Sequence, residues 1–125
     1  MDLPTDLQYT EDHEWIRLEG DVGTIGITDY AQGELTDIVF VELPEVGDTF
    51  GQGDSFGTIE AIKAVSDLFC PLDGTIVEIN EELSEHPEWV NDDAYGEGWM
   101  IKIQLTDPSQ TADLLSPDAY EEIIG

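Results

Sequence analysis

The segment that decides the fold is residues 57–79, GTIEAIKAVSDLFCPLDGTIVEI. Two short apolar runs, residues 56–62 and 68–71, flank Lys63, and a third run occupies residues 74–79. Runs of this length, bounded by glycine and proline and rich in β-branched residues, predict β-strands. We therefore expect Lys63 at or near the tip of a β-hairpin, where an enzyme can reach the amine and a tethered group can swing.

The rest of the chain also favours short strands. Residues 14–19 and 22–27 are predicted to form a hairpin closed by a Gly-Asp turn, and residues 38–43 and 99–105 are predicted to be further strands. The total of seven or eight short strands indicates a small β barrel or sandwich.

Helices are predicted at the margin of the sheets. Thr28 or Asp29 can cap a short helix over residues 30–35, because both side chains accept hydrogen bonds from free helical N–H groups. The pair Ser116-Pro117 is typical of a helix start, and an Asp-Pro pair precedes it. We expect a helical tail over about residues 107–125.

Length and hydropathy predict one soluble domain. The 125 residues suffice for a single hydrophobic core, and the domain is expected to span 1–125. Apolar runs are far shorter than the roughly 20 residues that a membrane-spanning helix needs. The first residues lack the basic and apolar regions of a secretory signal, which predicts a cytoplasmic protein.

Charge is the most unusual global property. Thirty acidic residues stand against three basic ones, and the formal net charge is -27. Nucleic-acid phosphates and anionic lipids would be repelled, so neither is an expected partner. Because such self-repulsion is relieved by concentrated salt, the composition suggests a halophile. A functional acidic surface, such as a nucleic-acid mimic, is the alternative.

Other candidate chemistry is weak. Residues 53–57, GDSFG, match the nucleophile elbow of hydrolases, but a strand follows the serine and 125 residues cannot build that larger fold. His13 and His86 are isolated in the sequence and read as structural, and Cys70 reads as a buried packing residue. No metal or nucleotide motif is present. We therefore expect a protein that is not itself an enzyme.

Lys63 stands out because basic residues are so scarce. Arg17 and Lys102 are predicted to pair with carboxylates on half-exposed strands. For Lys63, two interpretations are equally compatible with the spacing. It is an attachment point for a covalent group, or it forms an exposed ion pair with Glu60 or Asp67 that contributes about 0–1 kcal/mol.

A resemblance favours the first interpretation. Residues 60–67, EAIKAVSD, with the PLDG and VEIN stretches that follow, resemble the lipoyl-attachment segment of the glycine cleavage system H protein family. Biotin carriers place methionine on both sides of the lysine, whereas isoleucine and alanine stand here, which favours lipoate. The resemblance extends along most of the chain, through YTEDHEW at 9–15, TIGITDYAQ at 24–32, VFVELP at 39–44 and GWMIKI at 98–103.

This resemblance implies a mainly β fold, a flattened barrel-sandwich hybrid of lipoyl-domain type with short helices and a C-terminal helix. It implies covalent lipoate on Lys63 and a non-catalytic carrier that shuttles the aminomethyl group of glycine. The implied partners are a pyridoxal-phosphate glycine decarboxylase, a tetrahydrofolate-dependent aminomethyltransferase, a flavin dihydrolipoyl dehydrogenase and a lipoate-attaching enzyme. We expect a monomer.

We further hypothesise that the loaded arm rests in a cleft where Glu14 and Asp67 hold its cationic amine. The alternative is that these two residues are simply two of thirty acids. Two other functions stay open at this point: a lipoyl carrier of the same fold in another lipoate pathway, and a non-enzymatic acidic interaction protein.

Overall fold

Two antiparallel sheets build the molecule, as seen in a computed structural model that describes residues 3–124. In that range the strands are β1 (Gln8–Tyr9), β2 (Glu14–Glu19), β3 (Val22–Ile27), β4 (Ile38–Glu42), β5 (Thr49–Phe50), β6 (Ser55–Ala61), β7 (Val65–Phe69), β8 (Gly74–Ile79) and β9 (Ile101–Leu105). One sheet has the order β1-β2-β3-β9-β8-β5, and the other has the order β4-β6-β7. The predicted mainly β fold is confirmed.

The helices lie between and after the strands. They are α1 (Asp29–Leu35), α2 (Trp89–Asp92) and α3 (Pro117–Ile124), with 3-10 segments at Glu81–Ser84 and Pro108–Asp113. Thr28, one of the two predicted caps, accepts a hydrogen bond from the Ala31 N–H at 3.2 Å. The predicted terminal helix is present as α3, and Gly125, the last residue of the predicted tail, lies outside the described residues.

The predicted strands are found, and several of their boundaries are shifted by one to three residues. The hairpin of β2 and β3 has the predicted limits. The strand predicted at residues 68–71 instead covers Val65–Phe69, because the polar residues Ser66 and Asp67 interrupt its apolar pattern. The strand predicted at 99–105 begins at Ile101. The sequence did not predict β1, β5, α2 or the 3-10 turn after β8, which are all four residues or shorter.

The core lies between the two sheets. Ile16, Ile25 and Ile103 of the larger sheet meet Ile59 and Leu68 of the smaller one, and all five are at most 2% exposed. Fully burying side chains of this size contributes about 1.5–3 kcal/mol each. The sheets are therefore joined by one apolar cluster.

A second, smaller cluster lies on the opposite face of β2. Trp15 points away from the main core, because neighbouring strand residues face opposite sides, and it packs with Leu7, Tyr9 and Tyr120 of α3. Its strand partner Gly26 has no side chain, and a Cβ there would approach the indole to 2.7 Å. Glycine thus lets the Trp15 ring lie across β3, and α3 covers it.

One predicted ion pair is wrong. Among the described residues Arg17 forms no salt bridge; it lies over the Trp15 ring at 5.2 Å and donates to the Tyr95 carbonyl at 3.1 Å. Residues i and i+2 share a strand face, which brings the guanidinium to the indole. Lys102 does pair as predicted, with Glu78 at 3.7 Å.

Cys70 is the buried packing residue that the sequence predicts. It is 1% exposed, and its Sγ donates to the Leu72 carbonyl at 3.0 Å. Burial raises the pKa of the thiol to about 11, so it is a poor nucleophile at neutral pH. No helix within residues 3–124 has the length and apolar character needed to cross a bilayer.

Candidate functional site

Lys63 lies at the tip of the hairpin formed by β6 and β7. The turn is closed by a hydrogen bond from the Ala61 N–H to the Ala64 carbonyl at 2.7 Å, and Lys63 is exposed between them. Within residues 3–124 its ammonium forms no ion pair, so the alternative pairing with Glu60 or Asp67 is not formed. The amine is presented to solvent on a tight turn.

One strand of this hairpin, β6, is held against β4 and the residue before it. The Ile62 N–H donates to the Asp37 carbonyl at 3.1 Å, just before β4 begins. Further down, Gly57 faces Glu42 so closely that a Cβ would collide with the Glu42 carbonyl oxygen. The glycine permits this close approach of β6 to β4. The hairpin that presents Lys63 is therefore fixed to its neighbouring strand.

Apolar side chains surround the tip. Ile62 and Val65 are 66% and 64% exposed, and Phe40, which shares a register row with Glu60 and Val65, is 45% exposed. Exposed apolar groups gathered at one place are typical of a surface that contacts another molecule.

A cleft of about 340 Å³ lies beside β7 and under α1. Its wall includes both carboxylates that were predicted to hold the arm's amine, Glu14 and Asp67, which are 53 positions apart in the chain. Its apolar lining consists of Ile27, Ala31, Leu35, Ile59 and Leu68, and its further polar lining includes Asp12, His13, Tyr30, Glu34 and Ser66. An apolar floor with acidic groups on the wall suits a ligand with a hydrocarbon body and a cationic end.

Glu14 is buried in the wall of this cleft. It is 2% exposed; Oε2 accepts from the Phe69 N–H at 2.8 Å, and Oε1 accepts from the Thr10 hydroxyl at 3.4 Å. Burial raises its pKa to about 8, against the opposing effect of the Phe69 hydrogen bond. Burial thus favours the protonated carboxyl, whereas a bound cation would favour its ionised form.

Asp67 differs from Glu14 in its surroundings. It lies on the exposed part of β7, opposite Thr58 of β6, at the solvent side of the cleft. His13, which was predicted to be a structural residue, also lines the cleft. The signal that could have indicated this is its position directly before Glu14, which was predicted to lie in the cleft.

The remaining candidates do not assemble a catalytic site. Ser55 of the GDSFG segment donates to the Gly57 carbonyl at 3.1 Å and not to a histidine. A larger depression of about 560 Å³ lies around the 3-10 turn after β8, and it contains none of the predicted site residues. Beside it, Glu82, Glu85 and His86 hold possible metal-ligating atoms within 4.8 Å of one another, an arrangement that the sequence analysis did not predict.

Comparison with known proteins identifies the family. The model of the glycine cleavage H-protein family matches residues 7–125. The chain belongs to this family. The H protein of Staphylococcus haemolyticus is 55% identical over 125 residues, covering 100% of this chain and 99% of that relative. The H protein of Carboxydothermus hydrogenoformans is 52% identical over 122 residues, covering 98% of this chain and 94% of that relative.

A solved structure agrees. The crystal structure of a glycine cleavage system H protein from Mycobacterium marinum superposes with a TM-score of 0.88 at 41% identity, covering 96% of this chain and 97% of that one. The predicted lipoyl carrier role in glycine cleavage is thereby confirmed. These relatives give no support to a halophilic origin, which stays a prediction.

Proposed function

We propose that Lys63 is the residue that carries the lipoyl group, joined through an amide, and that the cleft beside β7 receives the arm. The observation that carries this proposal is the exposed Lys63 ammonium at a fixed hairpin tip, without an ion pair among the described residues. The lipoyl group would supply a reducible dithiolane that accepts the aminomethyl group of glycine.

Chain geometry supports the route from the tip to the cleft. Ser66 and Asp67 line the cleft and follow Lys63 by three and four residues. Four residues of extended strand span about 13 Å. A long arm attached at Lys63 therefore reaches the cleft by lying along β7.

The cleft residues have distinct tasks in this proposal. Ile27, Ile59 and Leu68 form an apolar floor that keeps water from the arm. Glu14 releases its proton to solvent when a cationic amine enters, and the resulting carboxylate holds the amine by a charge-assisted hydrogen bond. Asp67, exposed at the mouth, adds a negative field that favours the same charge.

This division of tasks protects the cargo. An amine that stays protonated has no free electron pair with which to expel the neighbouring sulfur. Glu14 as a carboxylate stabilises the protonated amine, whereas a neutral side chain at that position would not. The cleft therefore slows loss of the cargo between partner enzymes, in addition to excluding water.

The partners proposed for this carrier are glycine decarboxylase, the aminomethyltransferase, dihydrolipoyl dehydrogenase and the enzyme that attaches lipoate. The exposed apolar residues Phe40, Ile62 and Val65 around Lys63 supply a contact surface for them. With a net charge of -27, steering to such partners is fastest where their docking surfaces are basic. The carrier itself is proposed to act as a monomer.

A reconstituted glycine cleavage reaction tests the attachment site. The lipoylated wild type is expected to support glycine-dependent carbon transfer to tetrahydrofolate, and Lys63→Arg is expected to support none. Lys102→Arg is the matched control, because it alters the other lysine of the chain and keeps the charge that pairs with Glu78. Activity of Lys63→Arg equal to that of the control would exclude Lys63 as the attachment residue.

We also propose that the acidic surface adapts the protein to concentrated salt. Thirty acidic residues repel one another most strongly when the Debye length is long, about 10 Å at 0.1 M salt against 3 Å at 1 M. The competing idea, an acidic interaction protein, predicts binding to basic proteins that Lys63→Ala leaves intact.

A further inference from the structure

One hydroxyl group connects the C-terminal helix to the cleft. Tyr120 is fully buried in α3, and its oxygen lies 2.9 Å from Nδ1 of His13 and 2.7 Å from Oγ1 of Thr28. His13 lines the cleft, and Thr28 caps α1, which contributes Ala31 and other residues to the cleft wall. A single side chain from the end of the sequence thus touches both segments.

The direction of these hydrogen bonds follows from the donors available. Thr28 Oγ1 already accepts from the Ala31 N–H at 3.2 Å, and Thr28 is fully buried. Its hydroxyl proton needs an acceptor, and the Tyr120 oxygen lies at hydrogen-bond distance. With Thr28 as the donor, the Tyr120 hydroxyl keeps its own proton for a hydrogen bond to Nδ1 of His13, 2.9 Å away. Burial raises the pKa of Tyr120 to about 12, so its hydroxyl keeps that proton at neutral pH.

The His13 ring is held on several sides. Its ring centroid lies 4.9 Å from that of Tyr30 and 5.7 Å from that of Tyr120. The residue has a φ of 65°, in the left-handed region that non-glycine residues rarely adopt. Such a conformation persists where surrounding contacts determine it, and it often occurs at functional sites.

We propose that Tyr120 is a positioning residue of the arm cleft, which fixes His13 as the tautomer with its proton on Nε2. With Nδ1 bound to Tyr120, Nε2–H is the group that His13 offers to the cleft, so His13 acts there as a hydrogen-bond donor and not as a base. This suits a cleft that must leave a protonated amine protonated. The inference rests on the proposed function for the identity of the occupant, but not for the hydrogen-bond assignment.

The assignment is tested on the unlipoylated full chain by NMR of ¹⁵N-labelled histidine. The chain has two histidines, His13 and His86, so the signals are readily assigned. At neutral pH the wild type is expected to show the Nε2–H tautomer for His13, and Tyr120→Phe is expected to show a mixture of tautomers. An Nδ1–H tautomer in the wild type, or an unchanged spectrum in Tyr120→Phe, would overturn the inference.

Tyr9→Phe is the matched control. Tyr9 stacks on Tyr120 at 4.9 Å and is equally buried, but its hydroxyl donates to the Pro4 carbonyl at 2.7 Å and not to His13 or Thr28. Its loss is expected to leave the His13 tautomer unchanged. If Tyr120→Phe does not fold, the wild-type tautomer still decides the assignment.

A second readout uses the lipoylated protein without cargo. NMR relaxation of an isotopically labelled lipoyl group reports the ratio of docked to free arm. Tyr120→Phe is expected to lower this ratio about fivefold relative to Tyr9→Phe, because it loses one buried hydrogen bond. An arm docked equally in both variants contradicts the inference. An arm that is free in the wild type contradicts the proposed cleft instead, and the tautomer experiment remains a separate test.

Discussion

Oε2 of Glu14 accepts a hydrogen bond from the backbone N–H of Phe69 at 2.8 Å. Glu14 is the first residue of β2 in the six-stranded sheet, and Phe69 is the last residue of β7 in the three-stranded sheet. The carboxyl group thus joins the two sheets at the cleft. Removing it altogether would leave a partly buried N–H unpaired, so glutamine, which keeps an acceptor oxygen, is the informative replacement.

Glu14 is expected to make stability depend on pH. Its pKa is about 8 in the folded state and 4.5 in the ordinary reference state, so the folded protein binds this proton more tightly. The free energy of unfolding should therefore fall as pH rises from about 4.5 to about 8, by up to about 1.4 kcal/mol per unit. Urea unfolding of the wild type and Glu14→Gln at pH 5 and 8 measures this contribution, and a stability difference that is the same at both values would contradict it.

Glu14 is also expected to prolong the life of the amine cargo. Glu14→Gln cannot ionise, and the loss of a charge-assisted hydrogen bond, about 1.5 kcal/mol or more, should shorten the lifetime about tenfold. Ammonia release from the loaded carrier measures it. Glu19→Gln removes the same charge from the exposed end of the same strand and should have no effect. Equal cargo lifetimes in Glu14→Gln and Glu19→Gln would show that Glu14 does not stabilise the bound amine.

The hairpins could be predicted from local sequence, whereas the cleft could not. The strands on either side of Lys63 follow from short apolar runs bounded by glycine and proline. The meeting of Glu14 with Phe69 depends on how one sheet packs on the other, and the meeting of His13 with Tyr120 joins residues 107 positions apart. Neither contact leaves a periodic signal.

The role of Lys63 could be predicted from the family resemblance but not from local sequence patterns. On spacing alone Lys63 was as compatible with an ion pair as with an attachment point, and the EAIKAVSD segment separated the two. Arg17 is the opposite case: a rule about strand faces would have placed it over Trp15, but the abundance of carboxylates suggested an ion pair.

Two glycines are expected to respond oppositely to alanine. At Gly57 a Cβ would collide with the Glu42 carbonyl and push β6 from β4, so Gly57→Ala should lower the free energy of unfolding by about 1–3 kcal/mol. Gly33 lies in α1 with no neighbouring atom within 4 Å of such a Cβ, and Gly33→Ala should raise it by about 0.5–1 kcal/mol. Chemical denaturation measures the free energy of unfolding of both variants. If the two variants were destabilised equally, close packing of Gly57 against β4 would not explain the effect at that position.

Salt is expected to stabilise the folded state. Screening of the -27 net charge should raise the thermal midpoint steadily between about 0.1 M and 1 M KCl, because the Debye length shortens across that range. Scanning calorimetry in KCl measures this. A midpoint that does not change with salt would contradict adaptation to concentrated salt and leave the acidic surface in need of another role.

The mass of the protein purified from its native host decides whether Lys63 carries the lipoyl group. Digestion separates a peptide containing Lys63 from one containing Lys102, and we expect the mass increment of one lipoyl group on the Lys63 peptide alone. Lys63 that is unmodified in a lipoate-competent cell grown on glycine, or a lipoyl group found on Lys102, would contradict it.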